Sequence, residues 1–211
     1  SDVYKRQLEV TMKTSKLYRV LWYIFRPIIK CIYRLEINGT ENLPKSGRAI
    51  LCPNHTSNAD PIILGVACKR QVFYMGKSEL FKNKIFAKFI SHLGAFPVSR
   101  GKGDKNAISS AEEILRKGQL LGLFIEGTRS KTGEFLKPKT GAALIAYNTY
   151  SPIIPICIRG KKQNSVKAFR KNVVNIGKPI YIKDCNIVQG TSKEFRDLSR
   201  KIMENIKTLA P

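Results

Sequence analysis

Short apolar runs alternate with helix-patterned segments along almost the whole chain, and this alternation limits the possible folds more than any other feature. The apolar runs lie at residues 35–38, 49–52, 72–75, 95–98, 120–125, 153–158 and 173–176. The helical patterns lie at 61–68, 78–92, 104–117, 140–149 and 192–209. Strands that alternate with helices through short connections predict an α/β fold: a largely parallel sheet flanked by helices. Ser-Lys-Glu at 192–194 and Asp104 read as helix starts. The run 151–158 contains Pro152 and Pro155. Proline has no N–H for a sheet ladder, so this run is expected at a sheet edge, with a bulge.

A length of 211 residues suits one domain with a short appendage. The apolar share of 43% supports a sizeable core and excludes a disordered chain. Against 38 Lys and Arg stand only 15 Asp and Glu, a net charge of +23. That excess predicts anionic partners: nucleic acid, acidic lipid, acidic protein or a phosphorylated substrate. The five cysteines, at 31, 52, 68, 157 and 185, form no Cys-x-x-Cys pair and read as free thiols in a reducing compartment. With His55 and His92 the only histidines, no metal site is expected.

No run of about 18 charge-free apolar residues occurs, so no membrane-spanning helix is expected. Residues 1–7 resemble a translated sequencing-library adapter and are set apart from the fold, with Met12 a candidate natural start. Residues 12–35 then form an N-terminal helical segment and residues 36–211 the main domain. On a helical wheel Lys16, Arg19, Arg26, Lys30 and Arg34 fall within roughly 80°. Leu17, Val20, Leu21, Ile24, Phe25, Ile28, Ile29 and Ile32 fill the other side, and Tyr18, Trp22 and Tyr33 sit near the boundary. One reading is a helix packed on the core with its basic side in water. The favoured reading is an interfacial segment that docks on a membrane, with Arg19, Trp22, Arg26, Lys30 and Arg34 at the headgroups. Pro27 is expected to split it into two short helices.

Three segments carry candidate chemistry. Cys52-Pro53-Asn54-His55-Thr56-Ser57-Asn58-Ala59-Asp60-Pro61 joins a strand end to a helix start, where α/β sheets place ligands. If Asp60 caps the helix and the loop turns back, its carboxylate reaches His55, fixes the tautomer and makes the other ring nitrogen a base. The plainer reading has Asp60 only capping the helix ahead of Pro61. Residues 94–104 run from a strand into a glycine-containing basic loop where Arg100 is a candidate to hold a phosphate, although a simple β–α turn is the better reading of the residues alone. Phe124-Ile125-Glu126-Gly127-Thr128-Arg129-Ser130 is another strand end and tight turn, followed by Lys137 and Lys139. There Arg129 either pairs with Glu126 or binds an anion. Cys52 as an acyl-carrying nucleophile is set aside because it sits in an apolar strand pattern. No Gly-x-Ser-x-Gly elbow supports a serine nucleophile.

These residues together resemble a known family. Asn54-His55-x-Ser57-x-x-Asp60, then 94–100 ending at Arg100, then Phe124 to Ser130, then Ile154-Pro155-Ile156 are similar to the four ordered blocks of the glycerolipid acyltransferases. The likeness covers roughly residues 15–185. It departs at Ile125, where the family often has Pro, and at Ser99, where it often has Asp. The resemblance implies a membrane-associated O-acyltransferase of phospholipid biosynthesis that needs no cofactor. It would move a fatty acyl group from an acyl-CoA or acyl carrier protein thioester to the sn-2 hydroxyl of 1-acyl-sn-glycerol 3-phosphate, giving phosphatidate. It implies His55 as the base, Asp60 as its orienting partner, and Arg100, Glu126, Gly127, Thr128 and Arg129 as the acceptor and phosphate site. It implies Pro155 as a shaper of the acyl or acceptor pocket, and a peripheral place on the cytoplasmic face of the cell membrane.

Two alternatives stand beside it. The same fold and chemistry serve another acceptor, glycerol 3-phosphate or another lysolipid, since one phosphate site accommodates several. A nucleic-acid binder would also explain the charge. However, no RNA-binding aromatic signature, zinc finger or Gly-x-x-Gly clamp is present, and anionic lipid and a phosphorylated acceptor account for the basic surface.

Overall fold

A computed structural model describes residues 16–98 and 105–211. Arg100, Asp104 and residues 1–15 lie outside that set. The described elements are α1 (Lys16–Ile32), β1 (Leu35–Asn38), β2 (Ala49–Pro53), α2 (Asp60–Ala67), β3 (Val72–Lys77), α3 (Lys84–His92), β4 (Ala95–Val98), α4 (Lys105–Arg116), β5 (Leu120–Gly122), α5 (Gly141–Thr149), β6 (Ile153–Gly160), β7 (Asn172–Ile176) and α6 (Ser192–Thr208). A 3₁₀ turn at Ser78–Phe81 precedes α3.

The strands form one seven-stranded sheet in the order β1-β7-β6-β2-β5-β3-β4. Every described pairing is parallel except β6 with β7. The central strands are apolar on both faces because helices cover both. Along β2 and β6, Ile50, Cys52, Ile153 and Cys157 join the cluster under α4, α5 and α6, while Leu51, Ile154, Ile156 and Ile158 join the cluster with Ile63 and Leu64 of α2. This is the period-two alternation of a strand sorted onto two cores.

The structure corrects three expectations. First, β6 is a central strand, not an edge: it lies between β7 and β2. Pro155 is tolerated because its carbonyl accepts from Gly177 N (2.9 Å). Its missing N–H points the same way, past the end of β7 and away from the β2 ladder.

Second, α1 runs through Pro27 as a single helix. Both Pro27 and Tyr23, whose carbonyl loses its partner, are exposed, so the lost bond leaves no buried acceptor. Third, β5 ends at Gly122 rather than at residue 125. Leu123 N and Ile125 N still donate to Leu51 O (2.9 Å) and Pro53 O (3.2 Å), but β3 pairing stops at Tyr74 opposite Gly122. The chain is therefore held to β2 alone as it turns at Glu126.

Helix α1 packs across α2. Trp22 Nε1 donates to Gly65 O (3.0 Å) and Arg26 Nε to Val66 O (3.2 Å), with the Arg26 guanidinium 4.8 Å from the Trp22 ring centre. Both accepting carbonyls belong to the last turn of α2, where a cation offsets the helix dipole. Two of the five side chains expected at headgroups are thus engaged within the fold. Arg19 and Arg34 are exposed and Lys30 is half-buried. No helix among the described residues is long and apolar enough to cross a membrane.

Candidate active site

Strand β2 ends at Pro53, and the loop from Asn54 to Ala59 crosses the carboxyl edge of the sheet before α2 begins. Asn54, fully buried, anchors this loop. Its Nδ2 donates to Ile158 O (3.1 Å) and its Oδ1 accepts from Ile158 N (2.7 Å), which extends the β2–β6 ladder by a side chain. In the sequence Asn54 stands out only as the first residue of the Asn54–Asp60 block, directly after a buried strand.

Asp60 is the first residue of α2 and Pro61 the second, so Asp60 does not cap the helix with its side chain; Ala59 occupies the N-cap position. Its carboxylate turns back over the loop instead. Oδ2 accepts from His55 Nδ1 (2.9 Å), Thr56 N (2.7 Å) and Ser57 N (2.8 Å). Asp60 has 0% side-chain exposure and His55 15%. The bond requires the proton on Nδ1, which leaves the Nε2 lone pair as the basic position. The pair therefore combines a buried, backbone-held acceptor with a ring that a substrate still reaches.

The second loop builds the other wall. The Phe124 ring stacks on His55, centroids 4.0 Å apart at 24°. Ser130 N donates to His55 O (2.8 Å). Glu126 is almost fully buried; its Oε1 accepts from His55 N (3.3 Å), and its Oε2 has no hydrogen-bond partner among the described residues. Burial pushes the Glu126 carboxyl up to about 7, partly offset by the nearby His55 and Leu136 amides, with nearby Asp60 adding a smaller upward push. Gly127 takes a left-handed backbone (φ 69°) and closes the turn through Gly127 N to Phe124 O (3.0 Å). Glu126 Oε1 is taken by the His55 amide, and among the described residues no ion pair joins the carboxylate to Arg129. Thr128 and Arg129 are exposed at the rim, as are Lys137 and Lys139.

The structure therefore brings His55, Asp60, Phe124 and Glu126 together, with Gly127, Thr128 and Arg129 on the same turn. Pro155 is buried in β6 directly beside Cys52 of β2, one strand away and below the catalytic loop. Arg100 falls outside the described residues. Cys52 is fully buried and burial pushes its thiol up, the opposite of what a thiolate nucleophile needs. Missed in the sequence were the Phe124 stack and the backbone bonds from Glu126 and Ser130 to His55. Each depends on how two loops far apart in sequence meet at the sheet edge.

The acyltransferase family model matches residues 34–159. The 1-acyl-sn-glycerol-3-phosphate acyltransferase of Bacillus subtilis is 32% identical over 153 residues, covering 71% of this chain and 75% of that one. The enzyme of the same name from Streptococcus pneumoniae is 33% identical over 151 residues, covering 70% of this chain and 56% of its own. The crystal structure of the 1-acyl-sn-glycerophosphate (LPA) acyltransferase PlsC from Thermotoga maritima has the same fold, with a TM-score of 0.69 over 92% of this chain and 77% of that one at 24% identity. With more than half its length matched by that family model, the chain belongs to the acyltransferase family.

Proposed function

We propose that this chain transfers a fatty acyl group from an acyl thioester to the sn-2 hydroxyl of 1-acyl-sn-glycerol 3-phosphate, making phosphatidate. The observation that carries the reading is the His55–Asp60 pair, with Asp60 Oδ2 fixed by two loop amides and the imidazole at the sheet's carboxyl edge. The names of the relatives supply the acceptor.

In this mechanism His55 Nε2 takes the proton from the acceptor hydroxyl. Its oxygen bonds to the thioester carbon, the C–S bond of the resulting tetrahedral intermediate breaks, and the thiolate recovers the proton from His55. Asp60 holds the ring and stabilises the transient imidazolium. General-base action of this kind contributes about 10²–10⁴-fold. Positioning and charge stabilisation supply the rest.

Arg129 and Arg100 are the residues assigned to the glycerol phosphate, since guanidinium matches phosphate bidentately. Glu126 shapes the acceptor site through the His55 loop it binds. Pro155 supports the pocket wall from β6. The enzyme works as a peripheral protein on the cytoplasmic face of the cell membrane, with α1 as its docking helix. Val20, Tyr23, Ile24 and Ile28 of α1 are exposed on the side away from α2, a face suited to a lipid interface.

Glycerol 3-phosphate and other lysolipids are the competing acceptors. Purified protein given one acyl-CoA and one acyl carrier protein thioester, each with lysophosphatidate, glycerol 3-phosphate and lysophosphatidylcholine, decides between them. Preferential formation of phosphatidate supports the reading. Turnover confined to another acceptor replaces the substrate, and no turnover overturns it.

A further inference from the structure

We infer that α3, not assigned to any role above, is a second membrane-contacting helix selective for an anionic bilayer. This rests on the reading of the chain as an enzyme of membrane lipids. At 100° per residue, the side of α3 opposite buried Ala87 is occupied by Ile85 and Phe89, with Phe86 beside them. Their exposures are 85%, 50% and 46%, and Leu80 in the preceding 3₁₀ turn is 47% exposed. A water-facing helix places polar residues on that arc, and here it carries three large apolar ones.

Lys84 and Lys88 flank the arc on one side, and Lys82 precedes the helix. From Lys82 to Gly103 the sequence contains no Asp or Glu. An apolar ridge flanked by lysines complements an anionic lipid surface, apolar side into the acyl boundary and lysines to the headgroups. A second copy of this chain, with its net charge of +23, would be repelled by the same lysines.

The topology places this ridge with α1. The crossovers β2–α2–β3 and β3–α3–β4 advance in the same direction across the sheet, so right-handed connections put α2 and α3 on one face. The crossovers through α4 and α5 run back the other way, which places those helices on the opposite face, as the core cluster under α4, α5 and α6 shows. Since α1 packs on α2, α1 and α3 lie on one side of the sheet, and α2 on that same side carries exposed Ile62 two residues from Asp60. Two helices that contact the bilayer on that side would hold the His55 loop at the lipid surface.

The test is flotation of the full chain and of Ile85→Glu/Phe89→Glu with vesicles of pure phosphatidylcholine and of equimolar phosphatidylcholine and phosphatidylglycerol. Both substituted positions are exposed, and unchanged thermal melting verifies the fold. Expected is at least about a tenfold loss of binding to the anionic vesicles, from two apolar side chains denied burial. Lys84→Glu/Lys88→Glu should reduce the preference for phosphatidylglycerol, the remainder coming from Arg19 and Lys30 of α1. Activity on a water-soluble short-chain acceptor should stay at the parent level while activity on vesicle-embedded acceptor falls. Undiminished flotation of the Ile85/Phe89 variant overturns the proposal, as does a parent dimer that the variant turns into monomer, since a second copy would then cover the ridge. A parent that floats through α3 yet acylates no lysolipid would overturn the proposed function and leave this inference standing.

Discussion

Replacing Asp60 by Asn isolates the charge of the dyad from its geometry. A carboxamide oxygen in the place of Oδ2 keeps acceptors for His55 Nδ1, Thr56 N and Ser57 N, now at 2.9, 2.7 and 2.8 Å. The amide nitrogen then takes the place of Oδ1, which is buried and has no partner among the described residues. The lost quantity is the attraction between a carboxylate and the imidazolium of the transition state. At an effective dielectric near 20 and about 4 Å between charge centres this is about 4 kcal/mol, close to 10³-fold in rate. The neutral acceptor keeps part of it, so kcat should fall by about 10²–10³. Acceptor KM should move less than about threefold, because the ground-state imidazole is neutral. The unpartnered amide should also lower stability by about 1–3 kcal/mol. Initial rates of phosphatidate formation across acceptor concentrations give kcat and KM separately, and melting gives the stability change. A kcat near that of the parent, or a loss carried wholly by KM, would refute the assignment of Asp60 to the reacting histidine.

Arg129→Ala and Arg100→Ala should each raise acceptor KM by about 10–150-fold, the equivalent of a lost charge-assisted bond of about 1.5–3 kcal/mol, with donor KM unchanged in the same assay. Glu126 is protonated more readily folded (about 7) than at its ordinary value of 4.5, so its contribution is full below 4.5 and is lost as pH rises through 7. Melting followed from pH 5 to 8 should therefore show a decline that Glu126→Gln flattens, by at most about 3 kcal/mol at 1.36 kcal/mol per unit. An equal slope in both proteins would show that the buried carboxyl does not titrate there. Arg19→Glu/Lys30→Glu should weaken flotation with anionic vesicles and leave binding to neutral ones, each residue contributing about 1 kcal/mol. Arg26 is unsuited to that test because its bond to Val66 O makes it part of the α1–α2 packing.

Much of this fold was legible because its determinants are local. The strands at β1, β4 and β7 and the helices at α2, α5 and α6 follow from period and punctuation, and the described ends lie within a residue or so of the expected ones. What the sequence concealed depends on partners distant in the chain. Pro155 reads as an edge residue until Gly177, just past the end of β7, is found donating to its carbonyl. Trp22 and Arg26 read as headgroup residues until the last turn of α2 offers carbonyls at Gly65 and Val66. The dyad was legible as a spacing of five residues, and its geometry was not. Asp60 reaches His55 by accepting Thr56 and Ser57 amides, not by capping α2. Glu126 stands as an acceptor residue only through the family resemblance, whereas its bond to His55 N appears only once the two loops pack.

The central claim is that His55 is the base for acyl transfer to lysophosphatidate. Its most direct test is the rate of phosphatidate formation by the purified chain and by His55→Ala, with lysophosphatidate and an acyl thioester. The account predicts phosphatidate from the parent and a loss of at least about 10²–10⁴-fold in the folded variant. Phosphatidate formed by His55→Ala at the rate of the parent would contradict it.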